Sequence, residues 1–176
     1  GLNVSVALRE INNFKYNTED IIEIVYDLQA GSYVSNAKVY RNEYKKYCSI
    51  IAEQIYNISD KVSSVLDIGT GEVTIFSEIV KILFKKINEL YAIDLSLSRL
   101  RSGKQFIKEN NLSKKIKLGV GNYFELPFQD KSIDLILTHH SLEPSGGREA
   151  EAINEIFRVA KKYVFFVEPS FANNTQ

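Results

Sequence analysis

Methionine and tryptophan are absent from this chain of 176 residues, cysteine occurs once, histidine twice and proline three times. The single Cys48 excludes a disulfide framework. With His139 and His140 as the only histidines, there is no Cys/His set for a zinc site, and no metal is expected. The missing Met predicts a processed or trimmed chain, or one whose methionines are modified. Charge of one sign is also lacking: 22 Lys+Arg balance 22 Asp+Glu. The lysines are scattered in pairs (Lys85-Lys86, Lys114-Lys115, Lys161-Lys162). No field gathers the phosphates of a long duplex, so nucleic acid is not the expected partner. No apolar run approaches the roughly 18 to 20 residues of a membrane span. The start, Gly1-Leu2-Asn3-Val4-Ser5, has neither the basic nor the apolar zone of a signal peptide. No membrane association is expected, and a cytoplasmic compartment is.

What remains, 44% hydrophobic and 25% charged residues, describes one globular domain. A chain of this length buries roughly 70% of the surface that its unfolded form exposes, so it needs no covalent staple. Residues 1 to 17 are polar and unpatterned. Thr18-Glu19-Asp20 predicts a helix start, with acids at the positive end of the dipole, and Ile21, Ile24, Val25 and Leu28 follow at helical spacing. Gly31 and Ser32 stop that helix. A longer helix is predicted from about Asn36 to Asn57 by Tyr40, Tyr44, Tyr47, Ile51, Ile55 and Ile58, a stripe aromatic at one end and aliphatic at the other, read as a packed face. Residues 1–60 are expected to form a helical cap or lid on the domain.

From Lys61 the pattern changes. Short apolar runs at Val65–Ile68, Leu90–Ile93, Ile116–Val120, Ile133–Leu137 and Tyr163–Val167 alternate with helical segments. Five strands with intervening helices predict a doubly wound α/β fold, its parallel sheet covered on both faces by right-handed crossovers.

In such sheets ligands sit beyond the carboxyl ends of the strands, where strand order reverses. Strand one leads into Asp67-Ile68-Gly69-Thr70-Gly71-Glu72-Val73. The glycines allow a tight turn and close approach to a ligand, although a Gly-x-Gly pair also serves as a plain turn. A nicotinamide-dinucleotide fingerprint would want a third glycine where this chain has Thr74. Asp67 at the loop entrance would repel a pyrophosphate and welcome an ammonium. The cofactor indicated carries both an ammonium and a carboxylate. Asp94, at the end of strand two and followed by Leu95, is the position that accepts ribose hydroxyls, or else an acid at a helix start. After strand three, Asn122 can offer its amide to an adenine edge while Tyr123 or Phe124 packs on the ring.

These residues resemble the class I S-adenosylmethionine-dependent methyltransferases, in particular the small-molecule branch that includes quinone-biosynthesis C-methyltransferases. The resemblance runs from about Val65 to Pro169. It rests on Val65-Leu66-Asp67-Ile68-Gly69-Thr70-Gly71, Ala92-Ile93-Asp94-Leu95-Ser96, Gly121-Asn122-Tyr123 with Leu126-Pro127-Phe128, Ile133-Asp134-Leu135-Ile136, and the helix Ala152 to Ala160 running into Val167-Glu168-Pro169. It implies a Rossmann-like sheet of order 3-2-1-4-5 and S-adenosyl-L-methionine as cofactor, with S-adenosyl-L-homocysteine as product. Gly69 and Gly71 would line the methionine moiety, and Asp67 would support its ammonium. Asp94 and Leu95 would hold the ribose, and Asn122-Tyr123 would frame the adenine. The family often has Asp at the place of Asn122 and a small residue at that of Val73. It usually adds an antiparallel edge hairpin, whereas this chain ends soon after strand five in Phe171-Ala172-Asn173-Asn174-Thr175-Gln176. A fragment or a differently built edge is therefore expected.

The acceptor side is expected after strand four, at Thr138-His139-His140-Ser141-Leu142-Glu143-Pro144. Histidine is the side chain best matched to proton transfer at neutral pH. His140 is the first candidate for base or acceptor contact, Glu143 the second, and His139 a cofactor contact. The alternative is a His that only packs under the strand end. The segment lacks the Asn/Asp-Pro-Pro-aromatic run of DNA amine methyltransferases. Cys48 lies far from any Pro-Cys pair, which speaks against pyrimidine carbon-five chemistry. A small-molecule acceptor is favoured, with sugar, quinone, polyketide and amino acid all open, as is the oligomeric state. Tyr33, and after it Tyr40, beside the Gly31 hinge, is expected to touch cofactor or acceptor. Ser145-Gly146-Gly147-Arg148 would aim Arg148 at an anionic acceptor or simply start a helix. The competing function is a non-catalytic methyltransferase-like interaction domain.

Overall fold

The structure, a computed structural model, describes residues 3–87, 89–145 and 147–169. Four helices come first: α1 (Val4–Ile11), α2 (Glu19–Asp27), α3 (Ser32–Val39) and α4 (Arg41–Ser59). The sheet domain follows as β1 (Ser64–Ile68), α5 (Thr74–Ile82), β2 (Glu89–Asp94), α6 (Leu97–Glu109), β3 (Ile116–Val120), β4 (Ile133–His139), α7 (Glu149–Val159) and β5 (Ala160–Val167).

All five strands pair in parallel in the order β3-β2-β1-β4-β5, as expected. Strand order reverses between β1 and β4, whose register pairs Ile68 with Thr138, so the carboxyl ends of these two strands frame the crevice. Alternation along β1 splits the core. Val65 faces a layer with Ile51 and Ile55 of α4, Phe76 and Val80 of α5 and Ile107 of α6. Leu66 and Ile68 face Leu142 and Ala152, Ile156 and Val159 of α7. Strands buried on both faces read as continuous apolar runs, which is why the pattern was legible.

The helix start read at Thr18 also holds, and Ser96 makes a second one. Thr18 Oγ1 accepts the N–H of Ile21, and Ser96 Oγ accepts that of Arg99, so both helices start at a capping side chain. Three expectations for the N-terminal segment need correction. Residues 4–11 are helical, with Asn3 as the cap accepting from Val6. The predicted Asn36–Asn57 helix is two helices, interrupted at Tyr40 (φ −102°, ψ 45°). In α2 the buried residues are Ile21 and Ile22, while Ile24 and, at its C-cap, Leu28 are exposed; the helix packs against α1 and α6. The expectations for Gly146 and for Phe171–Gln176 lie outside the described residues. Among the described residues no helix is long and apolar enough to cross a membrane.

Candidate active site

The chain leaves β1 buried and turns sharply. Gly69 and Gly71 have φ of +65° and +58°, the left-handed region that favours glycine. Space is equally demanding: a Cβ on Gly69 would lie 2.3 Å from Ser141 Cβ, and one on Gly71 2.3 Å from Arg99 Nη2. Val73, where a third small residue is common, adopts φ +59° itself and is fully buried, its Cγ2 filling the space above Gly103 of α6. The loop therefore stays tight without a third glycine.

Two carboxylates border it. Asp67 is buried, and among the described residues no cation pairs with it. Burial pushes its carboxyl up to about 7, partly offset by the Thr70 hydroxyl and reinforced by Asp94. Asp94 Oδ2 accepts the N–H of Gly71 at 2.7 Å and Oδ1 that of Ser96 at 2.8 Å. Each oxygen keeps a second lone pair for a ligand hydroxyl. Burial raises this carboxyl as well, against the pull of Arg99.

These groups open onto a cleft of about 410 Å³ lined by Asp67, Gly69, Thr70, Glu72, Thr74 and Ile75 on one side and by His139, His140 and Glu143 on the other. Tyr26, Tyr33, Tyr44 and Tyr47 close it from the N-terminal helices, with Arg99 beside them. Gly69, Tyr26, Arg99 and His140 also border an adjoining recess of about 40 Å³, formed with Asp94, Leu95, Gly121, Tyr123 and Ser141. Among the described residues the buried Tyr123 hydroxyl finds no partner. A more open hollow of about 710 Å³ lies at the amino ends of β1 and β2, away from these groups.

Of the expected residues, Asp67, Gly69, Gly71, Asp94, Leu95, Tyr123, Tyr33, His139, His140 and Glu143 are thus gathered at one crevice. Asn122 is turned aside: its Oδ1 accepts the N–H of Phe124, and it does not line either space. Tyr40 is 59% exposed and outside the cleft. Arg148 is committed elsewhere, with Nη1 3.0 Å from Glu19 and a two-pronged contact to Glu151, over the Phe124 ring. His140 has φ +49°, a strained conformation for a non-glycine residue, held by its N–H to Val167 O.

Sequence reasoning missed four participants. Tyr44 donates to Thr74 Oγ1 at 2.5 Å, and Tyr47 meets His139 Nε2 at 2.6 Å. The aromatic end of the α4 stripe, read as packing, in fact faces the cleft; its change from aromatic to aliphatic was the available signal. Glu72, 1% exposed, takes the N–H groups of Gly31 and Val34, so the glycine loop caps the start of α3. Arg99 lies over the rings of Tyr26 and Tyr33, 5.0 and 4.7 Å from their centroids, its Nε without a partner among the described residues.

Residues 59–175 match the family described as "Methyltransferase domain", more than half of the chain. The chain belongs to this methyltransferase family. S-adenosyl-L-methionine is the cofactor that the sequence resemblance implies for it. Among solved structures, a protein from Methanococcus maripaludis described as an S-adenosylmethionine-dependent methyltransferase superposes with a TM-score of 0.66 at 24% identity, covering 80% of this chain and 63% of that one. A SAM-dependent methyltransferase from Aquifex aeolicus gives 0.53 at 22% identity, covering 60% and 56%. Geranyl diphosphate C-methyltransferase from Streptomyces coelicolor, solved with Mg2+, geranyl diphosphate and S-adenosyl-L-homocysteine, gives 0.53 at 16%, covering 66% and 44%. At these identities the likeness is one of fold. The chain spans less than two thirds of the length of these three structures.

The residues of this methyltransferase fit the cofactor. The space above Gly69 and Gly71 admits no side chain, Asp67 offers an unpaired buried carboxylate for an ammonium, and Asp94 has spare lone pairs for hydroxyls. The Arg99 guanidinium lies against Gly71 and lines the small recess on the Asp94 side. Admitting an adenosyl group there requires that flexible side chain to shift.

Proposed function

We propose that this methyltransferase methylates a small-molecule acceptor by in-line displacement, with the cofactor on the Asp67–Asp94 side of the cleft and the acceptor against His139, His140 and Glu143. The observation that carries the reading is the convergence of the two strand-end carboxylates and the glycine loop on one side of a single cleft, with titratable side chains after β4 on the other. When bound, the cofactor supplies an electrophilic methyl group on a sulfonium. In this reading Asp67 holds the ammonium, Gly69 and Gly71 make room for the methionine portion, Asp94 and Leu95 take the ribose, and Tyr123 borders the base. His140 and Glu143 contact the acceptor. The N-terminal helices, residues 1–60, act as a lid whose tyrosines exclude water and align the reactants, the main tasks for a displacement that disperses charge. That a fold neighbour acts on geranyl diphosphate, a small molecule, is in keeping with this acceptor class.

The test is calorimetric titration of the chain with S-adenosyl-L-methionine, S-adenosyl-L-homocysteine and NADH, repeated on Asp94→Ala. Binding of both adenosyl ligands but not NADH, weakened by roughly tenfold or more in the variant, is expected, since a lost charge-assisted hydrogen bond is worth about 1.5–3 kcal/mol. If wild type binds neither adenosyl ligand, or Asp94→Ala binds as tightly as wild type, the assignment of this cleft fails.

A further inference from the structure

We infer that Tyr47 and His139 form the proton-accepting pair of the acceptor side, and that the acceptor is a small molecule whose nucleophilic atom is the oxygen of a phenolic or enolic hydroxyl. This rests on the methyl-transfer reading above and names the substrate class for it.

The pair joins elements far apart in sequence. Tyr47 lies one turn after Tyr44 on the cleft face of α4, and His139 is the last residue of β4, 92 positions later. The hydroxyl oxygen and Nε2 are 2.6 Å apart, and the rings meet edge to face with centroids 5.5 Å apart. Both line the 410 Å³ cleft, and Tyr47 remains 37% exposed, so an acceptor can reach the hydroxyl.

Chemistry fixes the direction of the bond. A phenol is a stronger acid than a neutral imidazole, so Tyr47 O–H donates and Nε2 carries the lone pair. Burial, assisted by the neighbouring His140 ring 4.7 Å away, lowers the His139 imidazole to about 4 and so keeps it neutral at physiological pH. Burial, and then Cys48, raises the Tyr47 phenol above its ordinary range. The other groups facing this part of the cleft are Glu143 from the turn after β4, Asp67 from β1, Tyr44 from α4 and Arg99 from α6. A neutral imidazole adds no positive charge beside a cationic donor.

A weak base suffices here, because the acceptor's O–H bond becomes strongly acidic as its oxygen acquires the methyl carbon. A lone pair of that oxygen forms the new carbon bond, and the pair of the broken carbon–sulfur bond stays on the donor's sulfur. The proton on the acceptor oxygen passes to the Tyr47 oxygen while the Tyr47 hydrogen passes to His139 Nε2. A methylated acceptor, a neutral tyrosine and an imidazolium result, and the last discharges to water because burial disfavours its charge.

The test is nitrogen-15 NMR of the histidine rings of the full chain at neutral pH. In His140→Gln, His139 is the only imidazole in the sequence. An unprotonated Nε2 is expected, with its resonance displaced in Tyr47→Phe. A hydrogen found on Nε2, or a resonance that Tyr47→Phe leaves in place, overturns the pairing. This readout needs no cofactor or acceptor, so it fails independently of the calorimetric test of methyl transfer.

Discussion

The carboxylate of Glu72, buried in the glycine loop, accepts the backbone N–H of Gly31 at 2.7 Å, 41 residues earlier in the chain. Its other oxygen takes the N–H of Val34 at 2.6 Å. Gly31 has φ +95° and no side chain with which to cap α3, so the loop that borders the cofactor side supplies the cap. Cofactor loop and N-terminal helices are thereby one mechanical unit, reinforced where Ser96 Oγ donates to Asp27.

Glu72→Ala is expected to release α3. Two charge-assisted hydrogen bonds are lost, at a cost of about 3–6 kcal/mol, and Tm falls by roughly 10 °C or more. Cleavage between α2 and α3 by a protease should accelerate. A melt within about 1 °C of wild type would show that the clamp contributes nothing.

The two glycines should respond unequally to alanine. At Gly69 the new Cβ meets Ser141 Cβ on a buried residue, whereas at Gly71 it meets the far end of Arg99, which can swing away. Both substitutions carry the left-handed strain of about 1–2 kcal/mol. Gly69→Ala adds overpacking of about 1–3 kcal/mol. Denaturant unfolding should rank Gly69→Ala clearly below Gly71→Ala; equal losses would contradict the packing of the loop on Ser141.

Asp67 predicts a pH dependence. Its folded pKa, about 7, lies above the ordinary 3.8, so the folded chain holds a proton that the unfolded chain has lost. Its contribution to stability therefore falls as pH rises between those values. Ligand binding runs the other way, because the ammonium of the cofactor needs the ionised carboxylate. Affinity for S-adenosyl-L-homocysteine should rise from about pH 5.5 to about pH 8, by up to about tenfold per unit below pH 7, and Asp67→Asn should flatten the profile. A wild-type profile as flat as that of Asp67→Asn would remove the carboxylate from ammonium binding.

Arg148, at the start of α7, is expected to be structural. It ties Glu19 of α2 to Glu151 of α7 and covers Phe124. Arg148→Ala should lower Tm by a few degrees at most, since partly exposed pairs contribute little, and leave affinity for S-adenosyl-L-homocysteine within roughly twofold. A large loss of affinity would return Arg148 to the site.

The sequence by itself determined the sheet, the presence of helices between its strands and the start of α2. Apolar runs of strand length, Thr18 at a helix start, and carboxylates at the carboxyl ends of β1 and β2 are local patterns, each set by neighbours a few residues away. The crevice end of the sheet then follows from connection rules alone. Tertiary structure decided what crosses it. That Glu72 caps α3, that Tyr47 meets His139, that Arg99 rests on Tyr26 and Tyr33 and that Arg148 serves α2 and α7 are pairings over 38 or more positions, except within α7. An amphipathic stripe states that a face is covered without stating by what; for α4, the aliphatic end met the core and the aromatic end met the cleft only because the helix crosses from one to the other.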